Sequence, residues 1–204
     1  MSLDTVLAER LSDDGRRWLD AATDRVRSDA AAIRVLFPAV GRNVGRGAVE
    51  DAARVALLKA VPSRGPALVD EVAALYRFGD AAEKRGVLRA LHLLDVGDRG
   101  LPIVQDALRT NDTRLVAAAL GPYGAAQLDA AAYRQGVLKC VFVGVPLADI
   151  EGLERRADAE LARMLADFAT ERLAAGRDVP GDVWLVLDRF PDAATGLRKT
   201  AEEA

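Results

Sequence analysis

The sequence predicts an all-α protein: helix hairpins stacked in a HEAT-like or α-solenoid-type single domain spanning residues 1–204. Three observations carry this. Apolar residues recur at helical spacing in segment after segment, and no alternating strand pattern of useful length interrupts them. Helix punctuation recurs between those segments, with short oxygen side chains before them and glycine after them. Finally, "DAAEKRGVLRALHLL" at 80–94 is echoed by "DAAAYRQGVLKCVFV" at 129–143. Within the echo, Gly86-Val87-Leu88-Arg89 matches Gly136-Val137-Leu138-Lys139, 50 positions on. That period lies near the ~40–47 residues of HEAT-type repeats. Stacked hairpins bury a continuous core and leave an extended face for a partner or ligand.

In chain order, helices are expected at about 3–11, 13–27 and 29–37, the second on the stripe Trp18, Leu19, Ala22 and Val26. The next expected helices cover about 49–60, 65–77 and 80–94. Glu50 and Asp51 sit at the start of the first of these, where carboxylates complement the helix dipole. The stripe of the 80–94 helix is Val87, Leu88, Leu91 and Leu94. Helices at about 99–109 and 113–120 are separated by "TNDTRL", which puts Asp112 or Asn111 at an N-cap. Beyond the echo at 129–143, Leu161, Met164, Leu165 and Phe168 stripe a helix at about 157–175. Gly176 ends it, with Pro180 four residues further on. Shorter helices are expected around 181–188 and 192–201.

Composition narrows the function classes. The formal net charge of −3 gives no support for general nucleic-acid binding, which rests on clustered surplus Lys and Arg. One cysteine excludes an intrachain disulfide framework, and one cysteine with one histidine leaves little for a zinc site. No apolar run approaches the ~20 residues that span a bilayer. The start "MSLDTVLAERLSDDG" lacks the basic segment and apolar core of a secretory signal. The expected location is therefore the cytoplasm, with peripheral association at the inner face of the membrane allowed.

Two stretches stand out as candidate ligand contacts. In "RQGVLKCVF" (134–142) Lys139, a cation among Val137, Leu138, Cys140, Val141 and Phe142, lies on a polar seam with Gln135 and Gly136, opposite Val137 and Val141. Gly136 costs the helix ~1 kcal/mol relative to alanine and admits a close neighbour. The simpler reading is a lysine whose stem covers apolar surface while its amine reaches water. The sharper reading is an anion contact. Arg85, Arg89 and His92 form a face opposite Val87, Leu91 and Leu94, most simply solvated. If the two copies stack, Arg89 and Lys139 occupy equivalent places. The second stretch is "FPAVGRNVGRG" (37–47), where glycines and Arg42 and Arg46 precede a helix start. It is neither a Walker loop nor a dinucleotide fingerprint. Its simplest reading is an interhelix loop, with Arg42 and Arg46 as the best isolated anion contacts. Cys140 reads as a buried thiol without a histidine base nearby. No catalytic set, metal site or cofactor site is expected.

"IRVLFPAVGRNVGRG", "YRFGDAAEKRGVLRALHLLD" and "ALRTNDTRLVAAALGPYGAAQLDAAAYRQGVLKCVFVGVPL" resemble the EboA family of bacterial metabolite-traffic proteins. The likeness runs from about residue 15 to about residue 187 and is most specific from Leu108 to Leu147, where turn residues and glycines match as well as core. The resemblance implies a gene cluster that also encodes a prenyltransferase-like membrane protein, a metal-dependent hydrolase-like protein and a sugar-phosphate-isomerase-like protein. It implies delivery of natural-product precursors to or across the inner membrane, and no defined reaction, cofactor or catalytic residue. The expectation is a non-catalytic helical adaptor or carrier whose partners are the cluster's proteins and a small-molecule metabolite, not nucleic acid. The rivals are an enzyme acting on an anionic or isoprenoid-linked small molecule, with Lys139 and the arginines as clamps, and a purely structural subunit.

Overall fold

The computed structural model describes residues 3–195 and 197, and among these residues every regular element is helical. The described chain gathers into two compact units, one up to Ala107 and one from Leu108 onward.

In the first unit, α1 (Leu3–Arg10), α2 (Asp13–Ser28), α3 (Ile33–Val44), α4 (Ala48–Ala60), α5 (Gly65–Phe78) and α6 (Ala81–Ala90) follow one another, and the division falls within the last turn of α7 (Leu101–Arg109). Ser12 caps α2 by accepting the Gly15 N–H, and Asp80 caps α6 by accepting the Glu83 N–H, each taking up one orphan donor of a helix start. α4 is the centre of the unit: α1, α2, α3 and α6 all pack on it, α6 most extensively. Its buried face includes Ala53, Val55, Leu57 and Leu58, against Phe37 and Val40 of α3 and Val87 and Ala90 of α6.

Two expectations are revised here. The helix expected at 29–37 begins as a 3-10 turn over Ala30–Ala32 and then continues through Pro38 to Val44. Ile33, Phe37, Val40 and Val44 form one buried stripe across the proline, while Pro38 itself faces solvent. Burial on both sides outweighs the ~3 kcal/mol a proline costs inside a helix. The helix expected at 80–94 stops as α at Ala90 and tightens into a 3-10 turn over Leu91–Leu93.

In the second unit, α8 (Thr113–Ala119), α9 (Pro122–Gln127), α10 (Ala130–Val143), α11 (Leu153–Arg156), α12 (Ala159–Ala174) and α13 (Trp184–Leu187) enclose a core of Val116, Leu120, Val137, Cys140, Leu161 and Leu165. α10 packs against α8 and α12. Asp112, Asp129 and Asp158 cap α8, α10 and α12 through their carboxylates. Gly176 follows α12 at φ 64°, and the Arg177 N–H donates to Arg172 O at 2.9 Å, closing the helix end. The short α9 and α11 were not expected. Of the helix expected at 192–201, residues 192–195 form turns; 196 and 198–201 lie outside the described residues.

Candidate functional site

The least expected feature of the first unit is a charge cluster inside it. Glu50, Asp51 and Arg54 of α4 are buried, Asp51 and Arg54 at 2% exposure each. Arg54 Nη1 lies 2.9 Å from Glu50 Oε1, and its guanidinium carbon sits 5.5 Å from the centre of the Phe37 ring. From α6, Arg85 Nε donates to both Asp51 oxygens at 2.9 Å, and Arg89 Nε lies 3.4 Å from Asp51 Oδ2. The Glu50 carboxylate also accepts the Gly47 N–H at 3.3 Å at the start of α4. Charges this deep are tolerated only when paired.

Two glycines make the room. A Cβ on Gly41 would fall 2.5 Å from Glu50 Oε1, and one on Gly86 would fall 2.7 Å from Arg54 Cδ. Burial pushes the Asp51 carboxyl above its ordinary value, against the opposing pull of Arg89 and Arg85. Glu83, half-buried nearby, is also raised, chiefly by burial.

This corrects the reading of Arg85 as part of a solvated face: it is an interior clamp on Asp51, while Arg89 stands at the rim of the same cluster. Nor do Glu50 and Asp51 merely decorate a helix start. Arg42, at the end of α3, and Arg46, in the loop before α4, are both exposed. Arg54 was missed because an arginine amid "VEDAARVALL" looks like a surface charge; the i, i+4 pairing of Glu50 with Arg54 and the glycines at 41 and 86 were the readable signals.

Gly136 and Lys139 belong to the second unit. Gly136 is buried, and a Cβ there would lie 2.9 Å from Leu120 Cδ2. Lys139 is part-buried, and its Nζ donates to Asn111 Oδ1 at 2.8 Å. Its partner is thus the residue just before the Asp112 cap, a neutral amide. Burial pushes the Cys140 thiol up to about 12, so it stays protonated at neutral pH.

The second unit also holds an open cleft of about 950 Å³. Its apolar lining comes from Leu147, Ile150, Leu153 and Leu185. Glu151, Glu154, Arg155 and Arg189 bring charge to it. Its backbone is pinned from several directions. The Glu151 N–H donates to Leu120 O at 3.0 Å, and Glu151 O accepts the Tyr133 hydroxyl at 2.9 Å. Arg156 donates to Ala125 O and Leu128 O and stacks 4.1 Å over the Tyr133 ring. Asp182 accepts the Leu147 N–H at 2.8 Å. Gly152, at φ 76°, leaves space for the Arg155 guanidinium, since a Cβ there would lie 3.2 Å from its Nη2. A backbone fixed in this way with exposed charged side chains suits binding; sequence reasoning missed it because residues 144–156 read as connection.

Among the described residues no group of acidic, histidine and cysteine side chains is arranged to hold a metal ion, and no helix is long and apolar enough to cross a membrane. A protein family described as metabolite traffic protein EboA matches residues 43–188, which takes in the ionic residues of the charge cluster and every lining residue of the cleft except Arg189. No curated protein and no solved structure matches the chain.

Proposed function

Because the chain belongs to the EboA family, we propose that it is a non-catalytic helical adaptor or carrier in the traffic of a secondary-metabolite precursor to or across the bacterial inner membrane. The observation that carries this reading is the cleft of the second unit, whose volume of about 950 Å³ falls within the ~300–1,000 Å³ of small-molecule sites. Its lining sets the exposed Leu185 among charged side chains, an arrangement suited to holding an amphipathic molecule. The charges of the first unit are turned on one another across α4 and α6, which supports a scaffolding role for that part. In this reading the protein works in the cytoplasm beside the membrane, and its partners are the products of its gene cluster, including a prenyltransferase-like membrane protein.

The test is native mass spectrometry of the chain purified from its own host under mild conditions. The expected result is a retained small molecule, a co-purifying product of the gene cluster, or both. A bare chain with neither, from cells actively making the metabolite, overturns the proposal.

A further inference from the structure

Resting on the carrier reading, we infer that the cleft of the second unit takes a zwitterionic amphiphile: an apolar body carrying one acidic and one basic group, as in an amino-acid-derived metabolite. The apolar part is set chiefly by Leu185, beside the small exposed edges of Ile150 and Leu153, with the buried Leu147 behind them. Leu185 is half exposed, so it presents unburied apolar surface to whatever enters. Covering such surface is favourable because it is removed from water.

The charge requirement follows from the four ionic side chains of the lining. Glu151 and Arg155 already face one another, with Arg155 Nη2 3.7 Å from Glu151 Oε1. Gly152 leaves the space in which that guanidinium rests. Glu154 and Arg189 have no ion-pair partner among the described residues; the Arg189 guanidinium only overlies Phe190, at 6.0 Å from the ring centre. One carboxylate and one guanidinium therefore remain for a ligand. An anion alone would satisfy Arg189 while approaching Glu154 and Glu151, and a cation alone would meet the converse penalty. A molecule with both charges answers both side chains and leaves the Glu151–Arg155 pair in place.

The experiment is isothermal titration of the full chain at pH 7 with three probes of equal chain length: 2-aminodecanoate, decanoate and decylamine, all below their aggregation concentrations. The expected order places 2-aminodecanoate about 10-fold tighter than either singly charged probe, the ratio that ~1.4 kcal/mol of added contact provides. Arg189→Gln should weaken 2-aminodecanoate and decanoate several-fold and leave decylamine as tight or tighter. Glu154→Gln should weaken 2-aminodecanoate and decylamine and leave decanoate as tight or tighter. Leu185→Asp should weaken all three. These three positions are solvent-exposed, so the fold should survive each change, with circular dichroism as the check. Equal affinities for the three probes, or affinities unmoved by both charge variants, overturn the inference. Capture of the chain by zwitterionic phospholipid vesicles without binding of free 2-aminodecanoate also overturns it, in favour of a membrane surface. If no probe binds but host-purified protein retains a metabolite or partner, the cleft assignment fails while the traffic reading stands.

Discussion

α6 and α10 begin alike, on an aspartate cap, and each carries Gly-Val-Leu followed by a basic residue, yet they cross different neighbours. At Gly86 the close neighbour is Arg54, an ion embedded in the unit. At Gly136 it is Leu120, a fully buried hydrocarbon. The same local sequence thus serves a polar crossing in one unit and an apolar crossing in the other. The glycine fixes how closely two elements approach; the residue opposite decides what holds them there.

The largest expected effects come from the residues opposite. Glu50→Ala leaves Arg54 buried without its closest partner and should cost about 3–5 kcal/mol, the penalty of an uncompensated interior charge. Leu120→Ala should cost a similar 2–5 kcal/mol for a different reason, lost transfer energy plus a cavity. The two separate on rescue. Combining Glu50→Gln with Arg54→Met removes both charges of that pair, and urea denaturation should recover most of the loss. No polar substitution at position 120 should do so. A double variant no more stable than Glu50→Ala would show that the cluster is a connected network rather than a separable pair.

Next in size are the glycines. Gly86→Ala should destabilise by about 1–3 kcal/mol, because the new methyl meets the Cδ and Cβ of a side chain held at its far end by Glu50. At Gly136 the close atoms are the terminal methyls of Leu120, which can turn away. The ~1 kcal/mol gained in helix propensity then offsets much of the strain. Equal shifts in denaturation midpoint for the two variants would break the distinction between a pinned and a yielding neighbour.

The helices and the echo were legible in the sequence because they rest on local periodicity and capping, which short windows contain. The run of α3 through Pro38 was not, since a proline argues against continuation and only the tertiary stripe from Ile33 to Val44 outweighs it. Likewise the sequence marked Gly136 as a close approach, but not Arg54 as interior. The i, i+4 spacing to Glu50 fits a surface pair as well as an interior one; the environment of Arg54 is made by α3 and α6 together. Of the five residues singled out as ligand contacts, Arg89 and Lys139 have protein partners and Gly136 packs on Leu120, while Arg42 and Arg46 lie exposed. The cleft escaped notice because its residues are joined by turns with no periodic signature.

Acid sharpens the contrast through two carboxylates. Burial holds Asp51 above the ordinary 3.8, so its contribution to stability is fully present below that value and is lost as pH rises through its folded-state pKa. Asp158 of the second unit is the opposite case. Its hydrogen bonds from Arg134, at 2.7 and 3.0 Å, hold it below 3.8. Its contribution is present above 3.8 and is lost as pH falls through the lowered value. Carboxyl-carbon NMR titration should place the Asp51 midpoint above that of Asp158. The reverse order would mean that Arg85 and Arg89 outweigh burial at Asp51.

The smallest expected difference lies at the matching basic residues. Arg89 stands 3.4 Å from Asp51, but Arg85 already binds both oxygens of that carboxylate at 2.9 Å. Arg89→Met should therefore cost no more than about 1 kcal/mol, as for a half-exposed ion pair. Lys139 donates to the neutral Asn111, whose amide can turn to water when the amine is gone. With the apolar stem kept and no charge stranded, Lys139→Met should fall within about 0.5 kcal/mol of the native protein. Urea midpoints measured side by side at pH 7 test the pair. A loss of several kcal/mol at Lys139 would place an ionised partner near its amine and make the two crossings alike after all. A negligible loss at Arg89 would leave Arg85 as the cation that the buried Asp51 requires.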